Sequence, residues 1–386
     1  MFPLSWRTVQ KRPIMTGSHL DKVIDSAIAR QRIVGTVVLV ARDGEIVYRR
    51  AAGSADREHA VPMRDDAIFR LASFTKPLVA TAALKLADEE TIDLCAPVTK
   101  WLPHFRPRLA DGSTPAIALH HLLTHTAGLS YGFLEAADGP YRRARVSDGL
   151  DQPGLSLEEN LARIGAAPLA YAPGTGWRYS VATDVLGAVL QEATGMPLPA
   201  IVQREVTGPL RMRETAFEVV DPGRLAVPYR DAKPAPPARM GDEETVPFMD
   251  GFAHFAPGRI FDAASYPSGG SGMAGTADDF MRFLLSLRTA NRAILRAAEV
   301  DRTGTGAMTQ GPGWGFGYLG AVLGHPKEAH SPQSAGTLQW GGAYGHLWFF
   351  DPLADLAVVQ LTNTTFEGMA GAFPRDVRNA AYKDFT

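Results

Sequence analysis

The sequence predicts an α/β (α+β) fold in which one antiparallel sheet, assembled from strands near both ends of the chain, is flanked by helices. Near the start, two apolar segments at 34–41 and 46–50 flank the turn Asp43-Gly44, a pattern typical of a β-hairpin. Three similar segments lie near the end, at 336–342, 345–350 and 356–362. Helical patterns with proline and glycine interruptions occupy residues 86–195 and predict a mostly helical insertion.

This arrangement predicts two domains with the active site in the cleft between them. Residues 1–85 and 196–386 would form the sheet domain, and residues 86–195 the helical domain. Ala182–Thr194 has the clearest helical pattern, with Gly195 as its stop signal. The proline-rich segment 221–265 predicts irregular surface loops that cover a cleft.

Composition excludes several classes of function. The chain has 39 basic and 41 acidic residues, so it offers no electrostatic footprint for nucleic acid or an anionic membrane. Cys95 is the only cysteine, which excludes an intrachain disulfide and a cysteine zinc cluster. There is no apolar run long enough for a membrane span or a secretory signal, so we predict a cytoplasmic protein. Residues 1–15 are expected to form a loosely held tail, with Met15 as an alternative start.

A serine and a lysine three residues apart lie at the start of a predicted buried helix. They are Ser73 and Lys76, in the stretch Leu71-Ala72-Ser73-Phe74-Thr75-Lys76-Pro77. Residues i and i+3 share a helix face, so the hydroxyl and the amine can meet. A desolvated, neutral amine can accept the proton of a serine nucleophile. Taken alone, the spacing also fits a helix N-terminus in which Ser73 is a cap and Lys76 a solvated charge.

Two further stretches offer the other groups that acyl transfer needs. Tyr179 follows the tight loop Pro173-Gly174-Thr175-Gly176, and a phenol near a cation can act as a base. In Trp340-Gly341-Gly342-Ala343, the glycines allow a strand to approach a ligand, so a backbone N–H there could pair with that of Ser73 around an oxyanion. Each stretch also has a purely structural interpretation, as a half-buried packing tyrosine and as a β-bulge.

Five stretches, in the same order along the chain, resemble the serine β-lactamase and penicillin-binding protein fold, and most closely the β-lactamase-like carboxylesterases of family VIII. Five spaced matches are far more specific than one Ser-x-x-Lys pair. The stretches are Leu71–Pro77, His121–Leu129, Ala172–Ser180, Tyr266–Met273 and Leu338–Gly342.

The resemblance implies a serine carboxylesterase that hydrolyses short-chain acyl esters through an acyl-enzyme. In that interpretation Ser73 is the nucleophile and Lys76 its neighbouring proton acceptor. Tyr179 is the base that also hands a proton to the leaving group. The N–H groups of Ser73 and Ala343 form the oxyanion hole.

Departures from the class C β-lactamase pattern favour a neutral ester over an antibiotic. Those enzymes have Tyr-x-Asn where this chain has Tyr179-Ser180-Val181, and Lys-Thr-Gly where it has Trp340-Gly341-Gly342. An indole has no charge to offer a carboxylate. The substrate-binding residues predicted on this basis are Trp340, Gly341, Gly342, Tyr131 and Phe133.

Alternative functions stay open at this point. Gly128-Leu129-Ser130-Tyr131-Gly132 matches the nucleophile motif of α/β-hydrolases, and His346 lies downstream, although the chain lacks alternating βα units. A β-lactamase or DD-peptidase, an acyltransferase of the same fold, and a catalytically silent binding protein also fit.

The predicted partner is a small-molecule ester, and the oligomeric state is left open. We expect no cofactor and no metal, because the ten histidines contain no His-Glu-x-x-His pair. His120, His121 and His125 are interpreted as packing and capping residues. No nucleic acid and no membrane are expected as partners.

Overall fold

The structure, a computed structural model, describes residues 17–231, 236–249 and 251–386. The tail predicted for residues 1–15, with Met15, lies outside the described residues. The strands are β1 (Gly35–Arg42), β2 (Glu45–Asp56), β3 (Val61–Pro62), β4 (Phe69–Arg70), β5 (Tyr229–Arg230), β6 (Ala238–Arg239), β7 (Glu244–Phe248), β8 (Gly251–Phe255), β9 (Ala274–Gly275), β10 (Trp314–Phe316), β11 (Ala321–Leu323), β12 (Leu338–Gly342), β13 (His346–Asp351) and β14 (Leu356–Thr362).

The helices agree with most of the sequence patterns. The helix predicted over 182–194 has these bounds in the structure, and Gly195 ends it in the left-handed conformation. The helices are α1 (Ser18–Ala29), α2 (Thr75–Asp88), α3 (Leu119–Leu123), α4 (Pro140–Arg143), α5 (Leu157–Ala166), α6 (Ala182–Thr194), α7 (Leu198–Val202), α8 (Ala277–Ser286), α9 (Arg292–Ala298), α10 (Thr365–Met369) and α11 (Ala372–Phe385).

Strands from both ends of the chain form one antiparallel sheet, as predicted. Its eight strands follow the order β10-β11-β12-β13-β14-β1-β2-β3. β1 pairs with β2 on one side and with β14 on the other, with Val38 opposite Arg50 and Gln360. The hairpin turn between β1 and β2 has positive φ at both Asp43 and Gly44, the combination that Asp-Gly favours in tight hairpins. The α+β prediction is therefore confirmed.

Helices cover both faces of this sheet. Successive residues of a strand point to opposite faces, and β1 is buried on both. Val38 and Val40 lie in an apolar cluster with residues of α1 and α11. Val37 and Leu39 lie in a second, larger cluster with residues of α2 and α8. The sheet is thus the central layer, and α2 is packed beneath the face that carries the site.

Residues 86–195, all of which the structure describes, contain helices and no strand. Within this segment α6 packs against both α2 and α3. The helical segment therefore lies directly on the helix that carries the Ser-x-x-Lys pair. The predicted division into two domains stays a prediction.

The segment 221–265 is more regular than the sequence predicted. The expectation of irregular loops is wrong for Glu244–Phe255, where β7 and β8 form an antiparallel hairpin. Val246 of β7 and Ala253 and Phe255 of β8 are buried on one face of this hairpin. The alternation of apolar residues therefore outweighs the turn-forming composition of this segment.

No single helix in the described part of the chain has the length and apolar character needed to cross a membrane. Within the described residues, one bent pair of helices, Ala182–Thr194 and Leu198–Thr207, passes that test by length and composition alone.

Candidate active site

The segment that carries Ser73 is held in a strained conformation. Ala72, directly before the serine, has φ of +46°, a left-handed value that costs an alanine on the order of 1 kcal/mol. The backbone on its N-terminal side is fixed by two bonds: Leu71 N–H donates to the Met273 carbonyl at 2.8 Å, and His346 Nε2–H donates to the Arg70 carbonyl at 2.8 Å. The serine is therefore held at the start of α2 by tertiary contacts rather than by local preference.

Lys76, in the first turn of α2, is directed toward Ser73, which lies in the 3₁₀ turn Ala72–Phe74 just before that helix. Its ammonium donates to Ser73 Oγ at 3.2 Å and to the Gly270 carbonyl at 2.8 Å. Only 5% of Lys76 is exposed, because α2 is buried on every side from Thr75 to Leu84. The amine is thus desolvated and within hydrogen-bond reach of the hydroxyl, as the i,i+3 spacing predicted.

Tyr179 completes a compact group of three side chains. Its hydroxyl donates to Ser73 Oγ at 2.6 Å, and Lys76 Nζ lies 4.7 Å from the centre of its ring. The Trp340 indole N–H donates to the Tyr179 oxygen at 3.2 Å. The hydroxyl, the amine and the phenol predicted from separate segments therefore meet within proton-transfer distance.

His125 supports the Tyr179 ring and stays neutral. Its ring lies 4.9 Å from that of Tyr179, and its Nδ1 is 3.1 Å from Ser180 Oγ. Burial, and then the charge of Lys76, hold its pKa well below the ordinary value of 6.5. His125 is a packing residue here, in agreement with the sequence interpretation.

A cavity of about 300 Å³ opens at Ser73. Its wall is mainly apolar and aromatic, and it includes four of the five predicted substrate-binding residues. Tyr131 stacks on Phe133 with ring centres 4.6 Å apart, and Trp340 and Gly341 lie on the same wall. The other lining residues include Trp177, Phe248, Met249, Met308, Leu347, Phe366 and Met369.

Gly342 is placed differently from the other predicted binding residues. It is absent from the described cavity wall, and its Cα faces the nucleophile segment. A Cβ at this position would lie 2.7 Å from the Leu71 carbonyl oxygen. The glycine therefore lets β12 approach the turn that carries Ser73, and Ala343, the next residue, lines the cavity beside Ser73.

Comparison with known proteins identifies the family of this chain. The β-lactamase family profile matches residues 20–382, nearly the whole chain. The protein belongs to the β-lactamase family. The predicted resemblance is thereby confirmed, and the α/β-hydrolase alternative is wrong.

Relatives within the β-lactamase family include named esterases. Esterase EstB of Burkholderia gladioli is 54% identical over 373 residues, which cover 95% of each chain. Lovastatin esterase of Penicillium rubens is 26% identical over 377 residues, covering 86% of this chain and 89% of the relative. The solved structure of EstCE1, described as a hydrolase with promiscuous acyltransferase activity, superposes with a TM-score of 0.92 at 44% identity, covering 94% of this chain and 97% of EstCE1.

The surroundings of Ser130 explain why its motif misleads. Ser130 is 1% exposed, and its hydroxyl donates to the Tyr131 carbonyl at 3.2 Å. His346, the histidine that such a hydrolase would need, is bonded to the Arg70 carbonyl instead. Ser130 follows α3 instead of a strand of a parallel sheet, and a single 3₁₀ turn (Gly132–Leu134) comes directly after it, so the strand-turn-helix context that the motif requires is missing.

Sequence reasoning missed the group that holds the Gly270 loop. Asp184 of α6 is 2% exposed and accepts hydrogen bonds from Ser268 Oγ at 2.6 Å and from Gly270 N–H at 3.4 Å. Burial raises the pKa of its carboxyl, against the opposing effects of Ser268 and Lys76. Asp184 thus fixes the loop whose carbonyl holds Lys76, and its place inside an apolar helix was the only signal available.

Proposed function

We propose that this β-lactamase-family protein is a serine carboxylesterase that hydrolyses short-chain acyl esters through an acyl-enzyme on Ser73. The observation that carries the proposal is the meeting of Ser73 Oγ with the Tyr179 hydroxyl at 2.6 Å and with Lys76 Nζ at 3.2 Å. A hydroxyl becomes an effective nucleophile when a base within hydrogen-bond reach takes its proton.

In the acylation step Tyr179, in its ionised form, accepts the Ser73 proton while Oγ attacks the ester carbonyl carbon. Lys76, the predicted neighbouring proton acceptor, lies 3.2 Å from Ser73 Oγ and 4.7 Å from the centre of the Tyr179 ring, so it can assist the proton transfer and offset the negative charge. The carbonyl oxygen becomes an oxyanion, for which the N–H groups of Ser73 and Ala343 are the proposed donors. The C–O bond to the alcohol then breaks, and Tyr179 returns the proton to the leaving alkoxide.

Deacylation reverses these roles with water. Tyr179 accepts a proton from a water molecule, the water oxygen attacks the acyl carbon, and the bond to Ser73 Oγ breaks with return of the proton to the serine. The products are a carboxylic acid and the regenerated hydroxyl. The small-molecule ester is the only partner that this cycle requires.

The lack of a cationic side chain among the described residues of the cavity wall supports a simple ester over a β-lactam, whose carboxylate would need one. Trp340 presents an indole N–H to the phenol where a class C β-lactamase has a lysine, and Val181 cannot offer the amide of Tyr-x-Asn. A catalytically silent binding protein would have no need to keep the three reactive groups in hydrogen-bond contact.

Acyl transfer to an alcohol is a second candidate, because the same acyl-enzyme can be attacked by an alcohol in place of water. Two observations favour it. The aromatic wall can hold an apolar alcohol near Ser73, and EstCE1 is described as having promiscuous acyltransferase activity. The preference for short acyl chains and the cytoplasmic location stay predictions from the sequence, and the oligomeric state stays open.

Substitution of the two candidate serines tests the proposal. Ser73→Ala should abolish hydrolysis of p-nitrophenyl acetate, whereas Ser130→Ala, the matched control, should retain most of it. Circular dichroism and thermal melting of both variants would show that the fold is kept. Near-normal turnover by the Ser73 variant would refute the assignment.

A further inference from the structure

Asp148 is the one charged side chain among the described residues that line the cavity at Ser73. It is 9% exposed, and its Oδ1 is buried without a hydrogen-bond partner among the described residues. An ionised carboxylate in such a place is costly, because neither water nor a counter-charge compensates it. The carboxyl therefore needs a partner that the described protein does not supply.

The loop that carries Asp148 is built rigidly. The buried Asn160 side chain accepts from Ser147 N–H at 2.9 Å and donates to the Ser147 carbonyl at 3.0 Å. Ser271 Oγ donates to the Asp148 carbonyl at 3.2 Å. Gly149 has φ of +82°, and a Cβ there would lie 2.1 Å from a serine hydroxyl of the facing loop. Several buried contacts thus fix the backbone, while Oδ1 of the carboxyl stays without a hydrogen-bond partner among the described residues.

The charges around Asp148 do not neutralise it. Burial raises the pKa of its carboxyl, and repulsion by Asp151 and by Asp184 adds to the shift, against backbone hydrogen bonds that include one from Leu150. Burial also raises the pKa of Tyr131 and of Tyr344, and the negative charge of Asp148 contributes to the shift in both, so neither phenol offers a counter-charge.

The nearby cations are bound elsewhere. Lys76 donates to the Gly270 carbonyl, and Arg259 donates to the carbonyls of Asp151 and Tyr266. A cation bound in the cavity beside Asp148 would offset the repulsion on this carboxyl and favour its ionised form.

The rest of the cavity suits an ammonium group. Phe133, Phe248, Trp177 and Tyr179 present aromatic rings, and no basic side chain lies among the described lining residues. Aromatic faces attract cations, and they do so most strongly where water is excluded. One carboxyl among several aromatic rings is the arrangement that recognises an organic cation.

We propose that Asp148 is a specificity-determining residue that binds a positively charged amine of the ester substrate while Ser73 attacks the carbonyl carbon. The substrate class is an ester of an amino alcohol or of an amino acid. This proposal rests on the proposed esterase function and names the substrate class of the same site.

Pairs of esters that differ only in charge test the proposal. Protonated 2-(dimethylamino)ethyl acetate and 3-methylbutyl acetate, in which carbon replaces its nitrogen, place the charge on the alcohol. The p-nitrophenyl esters of β-alanine and of butanoic acid place it on the acyl group. We expect the wild type to prefer the charged member of at least one pair by about tenfold in kcat/KM, the effect of one hydrogen bond to a charged group. The preference should fade as the pH falls and the carboxyl takes up a proton.

Asp148→Asn removes the charge with little change of shape, so kcat/KM for the charged and the uncharged member of each pair should become nearly equal. Glu158→Gln, which removes an exposed charge on α5, is the matched control and should keep the preference. An unchanged preference in Asp148→Asn, or none for the charged member in either pair with the wild type, would overturn the proposal. The kcat/KM values of the wild type for charged and uncharged esters test the proposal even if the Asp148→Asn variant does not fold. Failure of the esterase function is separable, because it would abolish hydrolysis of every ester.

Discussion

The indole N–H of Trp340 donates to the phenol oxygen of Tyr179 at 3.2 Å, and the same phenol lies 2.6 Å from Ser73 Oγ. The two rings are 4.9 Å apart, so the indole also fixes the orientation of the phenol. A hydrogen-bond donor aimed at the phenol oxygen stabilises that oxygen when it carries negative charge. Trp340 therefore stabilises the phenol oxygen in addition to lining the cavity. The sequence had suggested only the second of these roles.

Trp340→Phe should lower kcat by roughly tenfold, the effect expected for one hydrogen bond that strengthens as charge develops. The substitution keeps an aromatic ring, so KM for p-nitrophenyl acetate should change little. Steady-state kinetics of the purified variant measure both constants.

Trp177→Phe is the matched control for this prediction. Trp177 lines the same cavity, and its buried indole N–H has no hydrogen-bond partner among the described residues. Its replacement should leave kcat nearly unchanged. Equal losses in the two variants would assign the effect to aromatic packing and contradict the role given to the Trp340 N–H.

Gly342→Ala should separate β12 from the nucleophile segment. The added Cβ would lie 2.7 Å from the Leu71 carbonyl oxygen, which is closer than real Cβ contacts. Because Ala343 follows directly, we expect kcat to fall by about tenfold or more and Tm to fall by several degrees, as for other overpacked sites.

Gly258→Ala serves as the comparison, since a Cβ at that position would have nothing within 4 Å. Its kcat and Tm should match the wild type. Wild-type activity in Gly342→Ala would mean that the approach of β12 to Leu71 is unimportant for catalysis.

His346 should make folding stability depend on pH. Burial lowers its pKa from 6.5 to about 4, although bonds to the backbone oppose the shift. Between these values the unfolded chain binds more protons than the folded one, so stability is lost as the pH falls from about 6.5 to about 4. The loss attributable to His346 should reach about 3 kcal/mol at the acid end of that window.

Urea unfolding of wild type and His346→Gln across this range measures the effect. The stability difference between them should shrink as the pH falls, because the variant lacks the titrating ring. The exposed His104→Gln should follow the wild-type curve. A difference that is constant with pH would contradict the assignment.

The sequence predicted those features that depend on local spacing. Ser73 and Lys76 meet because i and i+3 share a helix face, and β1 and β2 pair because Asp43-Gly44 favours a tight hairpin turn. Tyr179 is 106 positions from Ser73 in the chain, and only the resemblance to known proteins linked the two.

The features that were not predicted depend on tertiary contacts, which leave no local pattern in the sequence. β10 and β11 have three residues each, too short for a periodicity to show. Phe248 and Phe366 stack 4.2 Å apart at the cavity although they come from distant segments. Asp148 lies in a loop of ordinary composition, and only its burial beside the cavity indicates a function.

The role of Ser73 as the nucleophile is best tested by locating the site of covalent modification by a fluorophosphonate, using peptide mass spectrometry of the labelled enzyme. We expect one adduct on the peptide that contains Ser73, and its loss in Ser73→Ala with retention in Ser130→Ala. An adduct on Ser130, or no adduct on an enzyme that still hydrolyses p-nitrophenyl acetate, would contradict it.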